Sequence, residues 1–157
     1  MPSKTAPPSA DFLALDRQLC FALYATSMAM TKHYKPLLAP LGLTYPQYLA
    51  MLVLWEADNV TVSQLGERLQ LDSGTLTPLM KRLEAAGLVQ RLRDAADERR
   101  VLLRLTPAGR ALRKRAAGVP LAIGKALGCG LDEVSRLTAQ LHELRLRLES
   151  PSPQAAA

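Results

Sequence analysis

The stretch TVSQLGERLQLDSGTLTPLMKRLEAAGLV, residues 61–89, limits the fold more than any other part of the chain. Thr61 and Gln64 stand three apart, as in a capping box, where a Thr hydroxyl and a Gln side chain satisfy orphan amides at a helix start. Val62, Leu65 and Leu69 then fall on one face of a short helix. Leu71 lies in a turn, and Asp72-Ser73-Gly74 offers a second helix start. Leu76, Leu79, Met80 and Leu83 form the buried face of a second helix. A plain αα-hairpin has the same spacings, but the residues downstream narrow the choice. LVQRLR and RVLLRL are short, rich in Leu, Val and Arg, and separated by the polar DAADER, the pattern of a hairpin with a charged tip. Two short helices in a tight turn followed by a basic hairpin predict a winged helix-turn-helix, mainly α with a small β-hairpin wing.

Charge assigns this segment a partner. The net charge is +6 over 157 residues, and its location matters more than its size. Between Lys81 and Arg115 there are eleven Lys or Arg against four Asp or Glu, whereas the rest of the chain has nine against ten. A charge needed for solubility would be spread out; one this localised suits a polyanion. In a helix-turn-helix the second helix enters the DNA major groove, N-terminal end first. Its outward residues, Ser73, Thr75, Thr77, Lys81 and Arg82, are hydroxyls and cations suited to bases and phosphates. Arg91, Arg93, Arg99, Arg100 and Arg104 give the wing a phosphate-binding face, and an Arg near the tip can reach the minor groove. Pro78 breaks a rule, because inside a helix it removes a hydrogen bond and crowds the carbonyl of Gly74. Either the reading helix carries tuned geometry, or it starts later than Asp72.

The flanks read as helices. Asp11 to about Ala39 is apolar without Gly and predicts one long helix that Pro36 and Pro40 kink or end. Thr44-Tyr45-Pro46-Gln47 is another capping box. Thr106-Pro107 restarts a helix with Pro where its missing donor is harmless, GCGLD breaks it, and Asp132–Glu149 carries Leu137, Leu141, Leu144 and Leu148 at helical spacing. The expected order is four helices, a two-stranded hairpin and two helices. Residues 44–105 form the DNA-binding lobe, 11–43 and 106–149 dimerisation helices, and 1–10 and 150–157 disordered tails. No apolar run approaches the 18 or so residues of a membrane span, and MPSKTAPPSA lacks a signal peptide's apolar segment. Two cysteines fit neither a disulfide scaffold nor a zinc spacing, and His33 and His142 lack clustered carboxylates or thiols. The expectation is a cytoplasmic protein with reduced thiols, no membrane, no metal and no cofactor.

The remaining chemistry lies in DRQLCFALY, residues 16–24. A buried structural cysteine is the commoner case, but the neighbourhood of Cys20 is unusual. All four tyrosines, of seven aromatics in total, fall at positions 24, 34, 45 and 48. Tyr24, at i+4, shares the face of Cys20. Tyr34, at i+14, lies roughly 21 Å away along a continuous helix, out of reach in the same chain. Where two first helices cross antiparallel near residue 27, Tyr34 of one chain meets Cys20 of the other. The thiolate, not the thiol, attacks peroxides. Cys20 is expected about two turns into its helix, too deep for much help from the helix start; phenol donors, and Arg17 at i−3, are the alternatives.

From Leu15 to Leu148 the chain resembles the MarR family of winged-helix repressors, with the wing element Asp97-Glu98-Arg99 and Leu103-Arg104-Leu105-Thr106. Within it, LDSGTLTPLMKRLE and HYKPLLAPLGLTYPQYLAM are similar to the organic hydroperoxide resistance regulators. The resemblance implies a homodimer held by its terminal helices on a pseudo-palindromic DNA operator, which it releases when an organic hydroperoxide oxidises it. It implies Cys20 as the peroxidatic cysteine, Tyr34 and Tyr45 from the partner chain as thiolate-stabilising donors with Tyr24 beside them, Asp97 as support for the wing, and Arg99 as a DNA contact. The sulfenic acid is then captured either by Cys129 as the resolving thiol, across the dimer, or by a small cellular thiol. Two rivals remain. One is a repressor of the same family released by a phenolic or other small ligand, with Cys20 incidental. The other is a thiol peroxidase using both cysteines, against which stand the basic wing and a Cys20 with neither a helix start nor an activating base beside it; no enzyme is expected.

Overall fold

The computed structural model describes residues 12–150. The tails expected at 1–10 and 150–157 lie outside them, except for Ser150, which closes the last helix. The chain divides into two compact units, one ending at Ala116 and one beginning at Ala117.

The first unit opens with a 3-10 turn at Leu15–Arg17, followed by α1 (Leu19–Leu38), a second 3-10 turn at Ala39–Leu41 and α2 (Tyr45–Glu56). The single helix expected from Asp11 is therefore broken at Gln18, whose backbone is extended (φ −83°, ψ 113°). Phe12, Leu13, Leu15 and Leu19 are all exposed. Exposed side chains gain little from burial, so little offsets the cost of continuing the helix back through residues 12–18. Pro36 sits inside α1 without ending it; the stop comes at Pro40 and at Gly42, which takes the left-handed conformation (φ 67°). Both capping boxes form: Thr44 Oγ accepts from the Gln47 amide at 3.4 Å and Gln47 Oε1 from the Thr44 amide at 2.8 Å. The same pair of bonds links Thr61 and Gln64 at 3.1 and 2.9 Å.

Next come β1 (Val60–Thr61), α3 (Val62–Leu69), α4 (Ser73–Ala85), β2 (Val89–Arg93), β3 (Val101–Leu105) and α5 (Pro107–Ala116). The expected two-stranded hairpin is part of a three-stranded antiparallel sheet in the order β1-β3-β2. Val60 pairs with Leu103 and Val89 with Leu105. A two-residue strand carries no alternation, so nothing in sequence announced β1. Asn59 leads into it in the left-handed region (φ 62°), which Asn tolerates better than most residues. The core collects Leu38, Tyr48, Met51, Leu54, Leu65, Leu76, Met80, Leu83, Val89, Leu103 and Leu112, all nearly or fully buried. A Leu or Met removed from water this completely contributes about 2 kcal/mol to folding.

The second unit holds α6 (Gly118–Leu127) and α7 (Leu131–Glu149). Three helices rather than two thus follow the wing, because the helix starting at Pro107 is interrupted at Ala117. Pro120 has no amide for the Ala116 carbonyl and its ring crowds that carbonyl, a signal present in AAGVP. None of α7's 19 residues is buried. Among the described residues no single helix is long and apolar enough to cross a membrane.

Candidate nucleic-acid interface and thiol site

Each part of the helix-turn-helix is positioned by backbone chemistry. Gln70 caps α3 in the left-handed conformation (φ 57°), and Leu71 N donates to Gly66 O at 3.0 Å, closing the turn. Asp72 caps α4, its Oδ1 accepting from the Thr75 amide at 2.8 Å. That bond, with a further contribution from the Thr75 hydroxyl, holds the Asp72 carboxyl below the ordinary Asp range. Because α4 starts at Ser73, Pro78 lies inside it; the alternative of a later start is excluded. Leu76, Leu79, Met80 and Leu83 face the core, as their spacing predicted, and Ser73, Thr75, Thr77, Lys81 and Arg82 are exposed.

The wing tip is a network of short-range bonds. Asp94 N donates to Arg100 O at 3.0 Å and Arg100 N to Asp97 O at 2.9 Å. Asp97 Oδ1 accepts from the Arg99 amide at 3.0 Å, and Asp94 Oδ1 from the Ala96 amide at 2.9 Å. The five wing arginines are not equivalent. Arg91 pairs with Glu84 at 2.8 Å, Arg104 Nε donates to Asn59 Oδ1 at 2.8 Å, and Arg100 lies 3.9 Å from Asp94. Among the described residues no carboxylate bridges Arg93, Arg99, Lys81 or Arg82.

Sequence reasoning missed what fastens the wing to the lobe. Asp58 Oδ1 accepts from the Leu105 amide at 2.9 Å, and its Oδ2 from Arg110 at 2.8 Å. The β1–β3 register, extended two residues back from Val60↔Leu103, places Asp58 opposite Leu105. Its carboxylate therefore takes the place of a strand carbonyl. Burial opposes ionisation there, but the Leu105 amide, Arg110 and the Asn59 amide outweigh it and hold the carboxyl below its usual range. At the other end of the wing, Gly109 abuts the Leu88 carbonyl so closely that a Cβ would sit 2.1 Å from the oxygen. Trp55 Nε1 donates to Gly109 O at 2.9 Å, tying α2 to the start of α5.

The thiol site departs from the sequence reading in one respect. Cys20 is the second residue of α1, not two turns in, and it is exposed. It therefore lies at the partially positive end of a helix, where anions are favoured, and one of the arguments against a peroxidase falls. α1 runs unbroken from Cys20 to Tyr34, so the two stay about 21 Å apart along the axis. Tyr24 is exposed on α1. Tyr34 and Tyr45 are brought together, ring centroids 4.6 Å apart and tilted 43°. Tyr48, to which sequence reasoning assigned no role, joins them at 5.7 Å from Tyr34. Burial, then the neighbouring phenols of Tyr45 and Tyr48, push the Tyr34 pKa up to about 12. Burial also raises Tyr45 and Tyr48. All three are neutral donors at neutral pH, and none of their hydroxyls has a hydrogen-bond acceptor within the described residues. In the second unit, Cys129 is half-buried between Gly128 and Gly130, its Sγ donating to Leu127 O at 3.2 Å. No metal-holding group of His, Cys, Asp or Glu occurs among the described residues.

A capped helix pair, a three-stranded sheet and an arginine-rich wing define a winged-helix regulator. The MarR family model matches residues 43–101. The organic hydroperoxide resistance transcriptional regulator of Bacillus subtilis (strain 168) is 49% identical over 137 residues, covering 85% of this chain and 91% of that protein. Among solved structures, reduced AbfR bound to DNA is 35% identical with a TM-score of 0.72, covering 87% of this chain and 95% of its own. The disulfide-formed structure of AbfR, a Staphylococcus epidermidis protein, is 36% identical with a TM-score of 0.59, covering 86% and 90%. The chain belongs to the MarR family, and the Bacillus relative is named as a transcriptional regulator rather than an enzyme.

Proposed function

We propose that this protein is a homodimeric, DNA-binding transcriptional repressor that senses organic hydroperoxides through Cys20 and releases its operator on oxidation. The observation that carries the reading is the separation of an exposed thiol from a phenol cluster that has no acceptor among the described residues. Cys20 and Tyr34 lie toward opposite ends of α1, and Tyr45, at the start of α2, packs on Tyr34. An antiparallel crossing of two such helices is what joins them. Exposed apolar surface supports a dimer: Phe12, Leu15, Leu19, Phe21, Tyr24 and Met28 are exposed around α1, as are Leu131, Leu137, Leu141, Leu146 and Leu148 on α7. Exposed apolar surface on this scale marks an interface.

In the first step the Cys20 thiolate attacks one peroxide oxygen. The O–O bond breaks, the alkoxide takes a proton and leaves as an alcohol, and the sulfur, oxidised by two electrons, becomes a sulfenic acid. The helix start and the phenols of Tyr34, Tyr45 and Tyr24 stabilise the anion, the rings leaving the pocket apolar enough for an alkyl group. In the second step the Cys129 thiol of the other subunit attacks the sulfenic sulfur, forming a disulfide and releasing water. The similarity to AbfR, for which reduced, DNA-bound and disulfide-formed structures exist, supports this order. Ser73, Thr75, Thr77, Lys81 and Arg82 read the major groove, and Arg99, on a tip braced by Asp97, reaches phosphate or the minor groove of a pseudo-palindromic site. The oxidation re-spaces the two reading heads, and about 1–3 kcal/mol of differential affinity then suffices to release DNA.

The test is an operator gel shift with wild type, Cys20→Ser and Cys129→Ser, with and without cumene hydroperoxide, the same samples being run on a non-reducing gel. Wild type is expected to lose the operator and crosslink, Cys20→Ser to do neither, and Cys129→Ser to lose the crosslink. Release of DNA by peroxide from Cys20→Ser refutes the sensor assignment.

A further inference from the structure

The proposed sensing reaction leaves Tyr48 unused, yet Tyr48 is the most buried of the three clustered rings at 2% exposure. It occupies the fourth position of α2, three residues after Tyr45 and hence on the same helical face. Its backbone amide donates to Thr44 O at 2.9 Å, so it belongs to the first turn that the Thr44–Gln47 capping box fixes. Its neighbours in sequence, Gln47, Ala50 and Met51, are buried as well. Tyr34 and Tyr45 are only half-buried. A half-exposed ring samples rotamers unless something packed holds it. For Tyr34 that support is the Tyr48 ring, tilted 42° to it at 5.7 Å, in the range of favourable aromatic pairs.

We infer that Tyr48 is a positioning residue of the sensor, its buried ring fixing Tyr34, which in turn packs on Tyr45, so that the hydroxyls of Tyr34 and Tyr45 meet the partner's thiolate together. The inference rests on the sensor reading above and adds a component to it. The ring, not the hydroxyl, does the positioning. The Tyr48 hydroxyl is without an acceptor among the described residues, and since no buried side-chain oxygen among them lacks one, this hydroxyl opens to the surface. Misplacing a reacting group by about 1 Å costs about a hundredfold in rate, so a loosened Tyr34 is felt at Cys20.

The experiment uses full-length protein carrying Cys129→Ser, so that Cys20 is the only thiol. Two quantities are measured for Tyr48→Leu, Tyr48→Phe and Tyr34→Phe: the rate of Cys20 oxidation by cumene hydroperoxide, and the pH profile of Cys20 alkylation by iodoacetamide. Operator binding by the reduced proteins controls for folding. Tyr48→Leu is expected to slow oxidation about tenfold or more and to move the alkylation profile to higher pH, as Tyr34→Phe does, with operator binding unchanged. Tyr48→Phe, which keeps the ring, is expected to match the parent. Tyr48→Met fills the space with a flexible chain and carries the expectation of Tyr48→Leu, deciding the matter if that variant does not fold. A Tyr48→Leu protein with the parent's rate and profile beside an impaired Tyr34→Phe overturns the inference and leaves the sensor reading standing. Equal damage from Tyr48→Phe and Tyr48→Leu overturns the ring assignment. An unimpaired Tyr34→Phe removes the role of Tyr34 itself, and the inference with it.

Discussion

Gly109→Ala tests how the wing is joined to the rest of the lobe. A Cβ at Gly109 lies 2.1 Å from Leu88 O, 3.1 Å from Leu88 C and 3.2 Å from Leu105 Cδ2. Two of these three neighbours are backbone, so neither can turn aside as a side-chain tip would. Restoring an ordinary contact needs a separation of about 1 Å between the start of α5 and the α4–β2 junction, an overpacking strain of about 1–3 kcal/mol. The same movement pulls on three bonds that meet there: Trp55 Nε1 to Gly109 O at 2.9 Å, Gly109 N to Thr106 Oγ at 3.0 Å, and Thr106 N to Leu88 O at 3.0 Å. Losing one of them adds about 1 kcal/mol. The expected loss is about 3 kcal/mol, which for a chain of this size lowers Tm by about 6–12 °C. Thermal unfolding of the reduced protein by circular dichroism measures it, and the single Trp reports the local change, because its indole loses a partner. A Gly109→Ala protein with the parent's Tm and an unaltered Trp55 spectrum would falsify the close approach and the reasoning built on it.

Two further outcomes concern the interface and its anchor. Operator affinity should fall steeply with salt, and Arg99→Ala should reduce the slope of log K against log salt by about one for each phosphate contact removed; an unchanged slope places Arg99 off the DNA. Asp58→Asn keeps the shape of the side chain but not its charge. Because the folded carboxyl is held below its usual range, the stability it contributes is complete above the ordinary Asp value of about 4 and is lost as pH falls through its lowered value. Tm curves of parent and variant against pH should therefore be separated at neutral pH and converge in acid; a constant gap assigns the loss to shape rather than charge.

Much of the reading head was legible in the chain itself. Capping boxes depend on two residues three apart, so Thr44/Gln47 and Thr61/Gln64 are written locally. The apolar face of α4 follows from helical spacing, and the basic wing from composition. The separation of Cys20 from Tyr34, roughly 21 Å along one helix, also followed from counting along the chain. What sequence misjudged is where competing options were close in energy. The exposed apolar residues before Gln18 bury too little to hold a helix there, which moved the helix start to Leu19, one residue before Cys20. Pro78, itself exposed, is tolerated within α4 because the buried face of Leu76, Leu79, Met80 and Leu83 anchors the helix to the core. Tertiary structure alone decided the rest. Asp58 completes a strand edge 47 residues away, β1 exists only because β3 offers it partners, and Tyr48 acquires a role only when α1 and α2 bring three rings together. Local hydrogen bonds and periodicity can be read from neighbours in the chain; contacts between distant segments depend on how the whole lobe packs, and no short stretch contains that information.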